Sequence, residues 1–190
     1  MRILGLDLSL TSTGYCLLDD ERSEWFGSVS PATRDAERLA AFHDWLTLAL
    51  AKRELDAVAI EGYSFGSPQG ATRAFAIGEL GGVVKLAVWR SQLTMRVIPP
   101  ATWKKQLLGR GNLPKDMVRV EAFKRYGVEF ASQDTLDAWA VAMCCRRQLL
   151  GLSEPAKVSH RKSAHVPPQQ EAHDETRKTS ARRAAGAAPA

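Results

Sequence analysis

The first 29 residues constrain this chain most. Residues 2–8 read as a buried strand whose apolar run, Ile3-Leu4-Gly5-Leu6, ends on a carboxylate, Asp7, followed by Leu8. Gly14-Tyr-Cys-Leu-Leu and Ser23-Glu-Trp-Phe-Gly-Ser-Val follow as two more strand-like runs, separated by the turn-like Asp19-Asp20-Glu21-Arg22. Runs this close leave no room for a crossover connection, so they predict an antiparallel meander. Ala57-Val-Ala-Ile-Glu61 is different in kind. It is a short, continuous apolar run, as expected of a strand covered on both faces of a sheet.

Between and after these runs the pattern turns helical. Pro31 to Arg53 reads as an amphipathic helix with Leu39, Phe42, Leu46 and Leu50 at helical spacing. A Gly-rich loop follows Glu61, then a helix over about 70–91 in which Gly78, Gly81 and Gly82 would allow close packing. Thr94 to Ile98 reads as a strand stopped by Pro99-Pro100, with a short helix near Ala101–Leu108. The loop Gly109-Arg-Gly-Asn-Leu-Pro114 leads into a helix over Lys115–Tyr126. Ser132 has the character of an N-cap for a last helix reaching about Leu150. The expected class is α/β: a mixed five-stranded sheet, three antiparallel strands and then parallel ones, with helices on both faces. This order fits an RNase H-like fold, and other α/β layouts as well. We place the folded domain at residues 1–152. Residues 153–190 have almost no large apolar side chains and are expected to form a disordered basic tail.

Composition narrows the setting. No apolar run approaches membrane-spanning length, and no basic region followed by an apolar stretch and a cleavage site marks a signal peptide. Cys16, Cys144 and Cys145 are in no metal-binding spacing, so they read as reduced thiols of a cytoplasmic protein. The net charge of +5 is unevenly spread: Lys85 to Arg125 holds ten basic and two acidic residues. Such a stretch suits either a polyanionic partner or an ordinary solvated surface.

Four acids stand in positions that a purely structural reading explains poorly. Asp7 ends the first strand's apolar run and Glu61 ends Val58-Ala59-Ile60. Asp134 and Asp137 lie three apart in SQDTLDAWAVAM, hence on one helix face. Each has an alternative. Asp134 is favoured near a helix N-terminus by the dipole alone, Glu61 could face water, and Asp7 could meet a distant Arg. Asp137 opens a stretch apolar nearly all round, where surface decoration is not expected. As a cluster the four would repel one another and require a compensating charge. The histidines are His43 and three in the tail, so oxygen-only ligation favours Mg²⁺, with Mn²⁺ able to substitute, over zinc. Two such ions about 4 Å apart can clamp the attacking and leaving oxygens of a phosphodiester.

Four blocks resemble the RuvC-type Holliday-junction resolvases, particularly the compact phage-like branch. ILGLDLSLTSTGY resembles the family's first strand and hairpin with its metal-binding Asp, here Asp7. VAIEGYSFG resembles the strand carrying the family's Glu, here Glu61. DTLDAWAVAM resembles the final helix, with Asp134 and Asp137. PPATWKKQLLGRGNLPKDMV resembles the DNA-contacting segment. The match spans about residues 2–150. The resemblance implies a homodimer that binds branched DNA and cuts it with Mg²⁺, leaving 5′-phosphate and 3′-hydroxyl ends. It implies Asp7, Glu61, Asp134 and Asp137 as catalytic metal ligands, no nucleotide cofactor, and a bacterial or phage-infected cytoplasm. Lys104, Lys105, Arg110, Lys115 and Arg119 are the candidate phosphate contacts, each with ordinary surface solvation as the alternative. The family often stacks an aromatic after its Glu on a base. Tyr63 and Phe65 are the aromatics here, off the family's spacing, and packing explains them as well. Trp103 and Trp139 read as packing. Competing readings are a related nuclease acting on forks, flaps or RNA–DNA hybrids, a non-catalytic branched-DNA-binding module, and an actin- or sugar-kinase-like nucleotide binder, which would need a second domain.

Overall fold

The computed structural model describes residues 1–63 and 71–152. Phe65 and the expected tail, 153–190, lie outside them. The order is β1 (Arg2–Asp7), β2 (Thr13–Asp19), β3 (Arg22–Val29), α1 (Asp35–Lys52), β4 (Ala57–Glu61), α2 (Ala71–Arg90), β5 (Thr94–Ile98), α3 (Pro100–Leu108), α4 (Lys115–Tyr126) and α5 (Gln133–Leu149).

The five strands form one sheet in the order β3-β2-β1-β4-β5. The two hairpin-connected pairs, β1 with β2 and β2 with β3, are antiparallel. The pairs β1 with β4 and β4 with β5 are parallel. The expected mixed sheet is therefore the observed one, and α1 and α2 are the crossovers that parallel pairing requires.

Strand alternation divides the core into two layers. Leu4, Leu6, Val58 and Ile60 point to the face covered by α1 and α2, meeting Phe42, Leu46, Leu80, Val84 and Val88. Ile3, Ala57 and Ala59 point to the opposite face, which α3, α4 and α5 cover. α5 is the central element of that second layer. Its residues Leu136 and Ala138 to Cys145 are all buried, which accounts for its lack of a polar face.

Small residues let α5 sit almost on the sheet. A Cβ at Gly5 would run into the Ala138 carbonyl oxygen and lie 2.9 Å from the Ala142 Cβ, and one at Gly14 would run into the Asp134 carbonyl. A side chain at either position would hold the first turns of α5 away from β1 and β2. The three glycines of α2 behave differently from expectation. A Cβ at Gly81 would run into the Tyr63 hydroxyl, but one at Gly78 or Gly82 would meet nothing within 4 Å among the described residues outside its own helix backbone. Those two face away from the core because α2 packs through Leu80, Val84, Ala87 and Val88.

Candidate active site

The register of the two central strands fixes where their terminal acids go. Leu6 pairs with Ile60 in the parallel β1–β4 ladder. Asp7 and Glu61, one residue further along each strand, therefore point together to the α5 side of the sheet. Ser132 caps α5 by accepting the Thr135 N–H at 3.0 Å. That cap starts the helix where its first turns pass over β1, placing Asp137 beside the two strand ends.

Single carboxylate oxygens of Asp7, Glu61 and Asp137 all lie within 4.8 Å of one another. Asp134 is not in that group, although its charge still raises the proton affinity of both Asp7 and Asp137. Among the described residues no Lys or Arg forms an ion pair with Asp7, so the distant-Arg alternative has no support there. Burial, followed by the charge of Glu61, pushes the Asp7 carboxyl from 3.8 up to about 10. Burial and then Glu61 push Asp137 up to about 7, against the opposing pull of a Gln133 hydrogen bond and of Lys104.

Two neutral donors brace the flanking acids. The Trp103 indole Nε1–H donates to Glu61 Oε1 at 2.8 Å, and Gln133 Nε2 donates to Asp137 Oδ1 at 2.8 Å. Neither donor is read from the sequence above. The Gln133–Asp137 spacing of four was a visible helical signal. The Trp103–Glu61 pair spans 42 positions and left no local trace. The all-oxygen donor set, with its protons held by mutual repulsion and burial, fits a hard divalent cation that would displace them.

The candidate DNA-contacting residues line the segment from α3 to α4. Lys104 is half-buried, while Lys105, Arg110, Lys115 and Arg119 are exposed. Lys104 is the one that acts on the acidic cluster, lowering the proton affinity of Asp137. Arg119 has a second engagement: its guanidinium donates to the carbonyls of Phe130 and Ala131, each at 3.1 Å, and so clamps the loop entering α5. Gly109 ends α3 in the left-handed region at φ 84°, a conformation glycine adopts without strain. Tyr63 is half-buried against α2, with Lys85 Nζ 5.8 Å from its ring centroid. The cysteines are buried free thiols. No helix among the described residues is long and apolar enough to cross a membrane.

A family model described as Crossover junction endodeoxyribonuclease RuvC matches residues 3–145. The chain is 30% identical over 165 residues to the protein of that name from Paracoccus denitrificans, covering 84% of this chain and 99% of the relative. It is 33% identical over 153 residues to that of Thermomicrobium roseum, covering 76% and 91%. Thermus thermophilus RuvC has a similar structure, with a TM-score of 0.69 at 22% identity over 81% of this chain and 99% of that one. The same organism's RuvC in complex with a Holliday junction substrate gives 0.69 at 21%, over 81% and 98%. At those identities the structures speak to the fold, which is RNase H-like. The family match runs from the first strand through the buried stretch of α5, and the Paracoccus relative is covered almost end to end: this chain belongs to the RuvC family of crossover junction endodeoxyribonucleases.

Proposed function

We propose that this protein is a divalent-metal-dependent endonuclease that resolves Holliday junctions and related branched DNA, leaving 5′-phosphate and 3′-hydroxyl ends. One observation carries the reading. In a chain of this family, three acids from two strand ends and a helix converge with their oxygens within 4.8 Å.

Asp7, Glu61 and Asp137, with Asp134 at the rim, would hold the ions, Mg²⁺ in the cell and Mn²⁺ in its place. When bound, a pair of such ions supplies a water made nucleophilic near neutral pH and neutralises charge on the attacking and leaving oxygens. The chain's own residues do the rest. Asp7, flanked by the other acids and largely shielded from solvent, would exchange its proton for a small dication rather than pair with a side-chain amine. The basic segment from Lys85 to Arg125 offsets that field toward a polyanion. Lys104, Lys105, Arg110, Lys115 and Arg119 would contact phosphates, aligning the strand without reading its sequence. Tyr63, held on α2, and Phe65 are the candidate aromatics for an unpaired base. Residues 1–152 form the nuclease domain in this reading, and the basic tail after it adds nonspecific DNA affinity. The setting is the cytoplasm of a bacterial or phage-infected cell.

One face of α2 supports a homodimer. Phe75 and Trp89 are 72% and 75% exposed, and Leu86 is 46% exposed. With the open Gly78 and Gly82 they make one stripe at spacings of three and four. Large side chains flanking a glycine notch are self-complementary, as a two-fold contact requires.

The test is incubation with a four-way junction, a fork, a linear duplex and an RNA–DNA hybrid, each with Mg²⁺ or EDTA. Metal-dependent cutting that favours the junction is expected. Preferential cutting of the fork or hybrid would move the activity to the related-nuclease reading. Binding without cutting in Mg²⁺ or Mn²⁺ would leave a non-catalytic module.

A further inference from the structure

We infer that Trp103 is a positioning residue whose indole N–H holds the Glu61 carboxylate in place for divalent-ion binding, and so couples the metal site to the DNA-facing helix α3. The inference rests on the reading of Asp7, Glu61 and Asp137 as metal ligands.

Glu61 is a flexible side chain at a strand end, within 4.8 Å of two other acids. Its side-chain torsions allow rotamers that swing the carboxylate toward water, away from the position in which the three can share an ion. The Trp103 N–H, 2.8 Å from Glu61 Oε1, opposes that swing. An indole is donor-only with a single hydrogen in its ring plane, so the direction of this bond is set by the ring. The ring is 1% exposed and belongs to the core layer with Ile98, Leu107 and Trp139. It cannot turn without disturbing that packing. The donor is also neutral. A Lys or Arg there would cancel the negative field that draws the cation, whereas an indole anchors one oxygen without adding charge.

The same residue sits on α3 immediately before Lys104, whose Nζ lies 5.5 Å from the Trp103 ring centroid. One short rigid element therefore presents a phosphate-facing cation and fixes a metal-facing carboxylate. Trp139 supplies the contrast. It is equally buried in the same layer, and among the described residues its Nε1 has no acceptor, so the described structure gives it a packing role.

The experiment compares full-length wild type, Trp103→Phe, the protein with Trp103 replaced by 3-benzothienylalanine (a near-isostere with sulfur in place of the N–H), and Trp139→Phe. Mn²⁺ affinity is measured by titration calorimetry, and the half-saturating Mg²⁺ by junction cleavage. Both Trp103 replacements should weaken Mn²⁺ binding about tenfold, the lower end of what loss of a ligand-orienting hydrogen bond does. They should raise the half-saturating Mg²⁺ by a similar factor and recover cleavage at high Mg²⁺. Trp139→Phe should keep wild-type affinity. Wild-type Mn²⁺ affinity in the folded isostere protein would overturn the inference, whatever the Phe variant does, and so would equal weakening in Trp139→Phe. A wild type that binds Mn²⁺ yet cuts no substrate would sink the nuclease reading while leaving this inference to the calorimetry. A wild type that binds no Mn²⁺ would sink both.

Discussion

Replacing Asp7 by Asn should stabilise the metal-free protein while destroying its function. Burial and the neighbouring Glu61 raise this carboxyl from 3.8 to about 10, so the folded chain holds a proton that the unfolded chain releases at neutral pH. Below about pH 3.8 both states are protonated and the group contributes no difference. From there to about pH 10, each unit of pH costs the native state about 1.4 kcal/mol relative to the unfolded chain. Roughly three of those units lie below pH 7, so the penalty there is on the order of 4 kcal/mol. Asn has nearly the same shape and no proton to hold. Urea unfolding in EDTA at pH 7 should therefore place Asp7→Asn above wild type by roughly 2–4 kcal/mol, with the gap closing near pH 4. Saturating Mg²⁺ should narrow or reverse the order, since only the wild type gains ligand-linked stability, about 2.7 kcal/mol at a hundredfold excess over Kd. An Asn variant no more stable than wild type in EDTA at pH 7, or a gap that ignores pH, would refute this account of the acidic cluster.

Three further outcomes are expected. Gly5→Ala should cost about 1–3 kcal/mol by overpacking and reduce cleavage beyond what the lost stability explains, because the new Cβ pushes α5 at Ala138, beside Asp137; urea unfolding and cleavage both at wild-type level would contradict this. The double variant Phe75→Glu with Trp89→Glu should sediment as a monomer, and an unchanged dimer mass would remove α2 as the interface. Mg²⁺ affinity should rise with pH, by at least about tenfold between pH 6 and 8, because Asp137, held up at about 7, must lose its proton to ligate; calorimetry showing a flat profile would contradict the assignment.

The positions that end or begin an element were the most legible part of the sequence. Asp7 and Glu61 close runs too apolar for surface strands, and Ser132 marks the start of α5, so three local signals located the ends of β1, β4 and α5 within a residue or two. α1 begins later than expected, at Asp35, because Arg34 before it is extended, at φ −124° and ψ 168°. Spacing alone grouped Asp134 with Asp137, but the geometry brings only Asp137 into the tight cluster, since the first turn of α5 passes over Gly14 before reaching β1. The Trp103–Glu61 bond and the clamp of Arg119 on Phe130 and Ala131 depend on which helices share a face of the sheet. No window of neighbouring residues holds that information. Gly5 and Gly14 read as ordinary strand glycines until α5 is placed on top of them.

The most direct measurement of the central claim pairs binding with cutting for wild type and Asp7→Asn on a four-way junction. Both proteins should bind the junction with similar affinity in EDTA, and only the wild type should cut it when Mg²⁺ is added. Mg²⁺-dependent cutting that persists in a purified Asp7→Asn preparation would mean that the acids at positions 7, 61 and 137 are not where the reaction takes place.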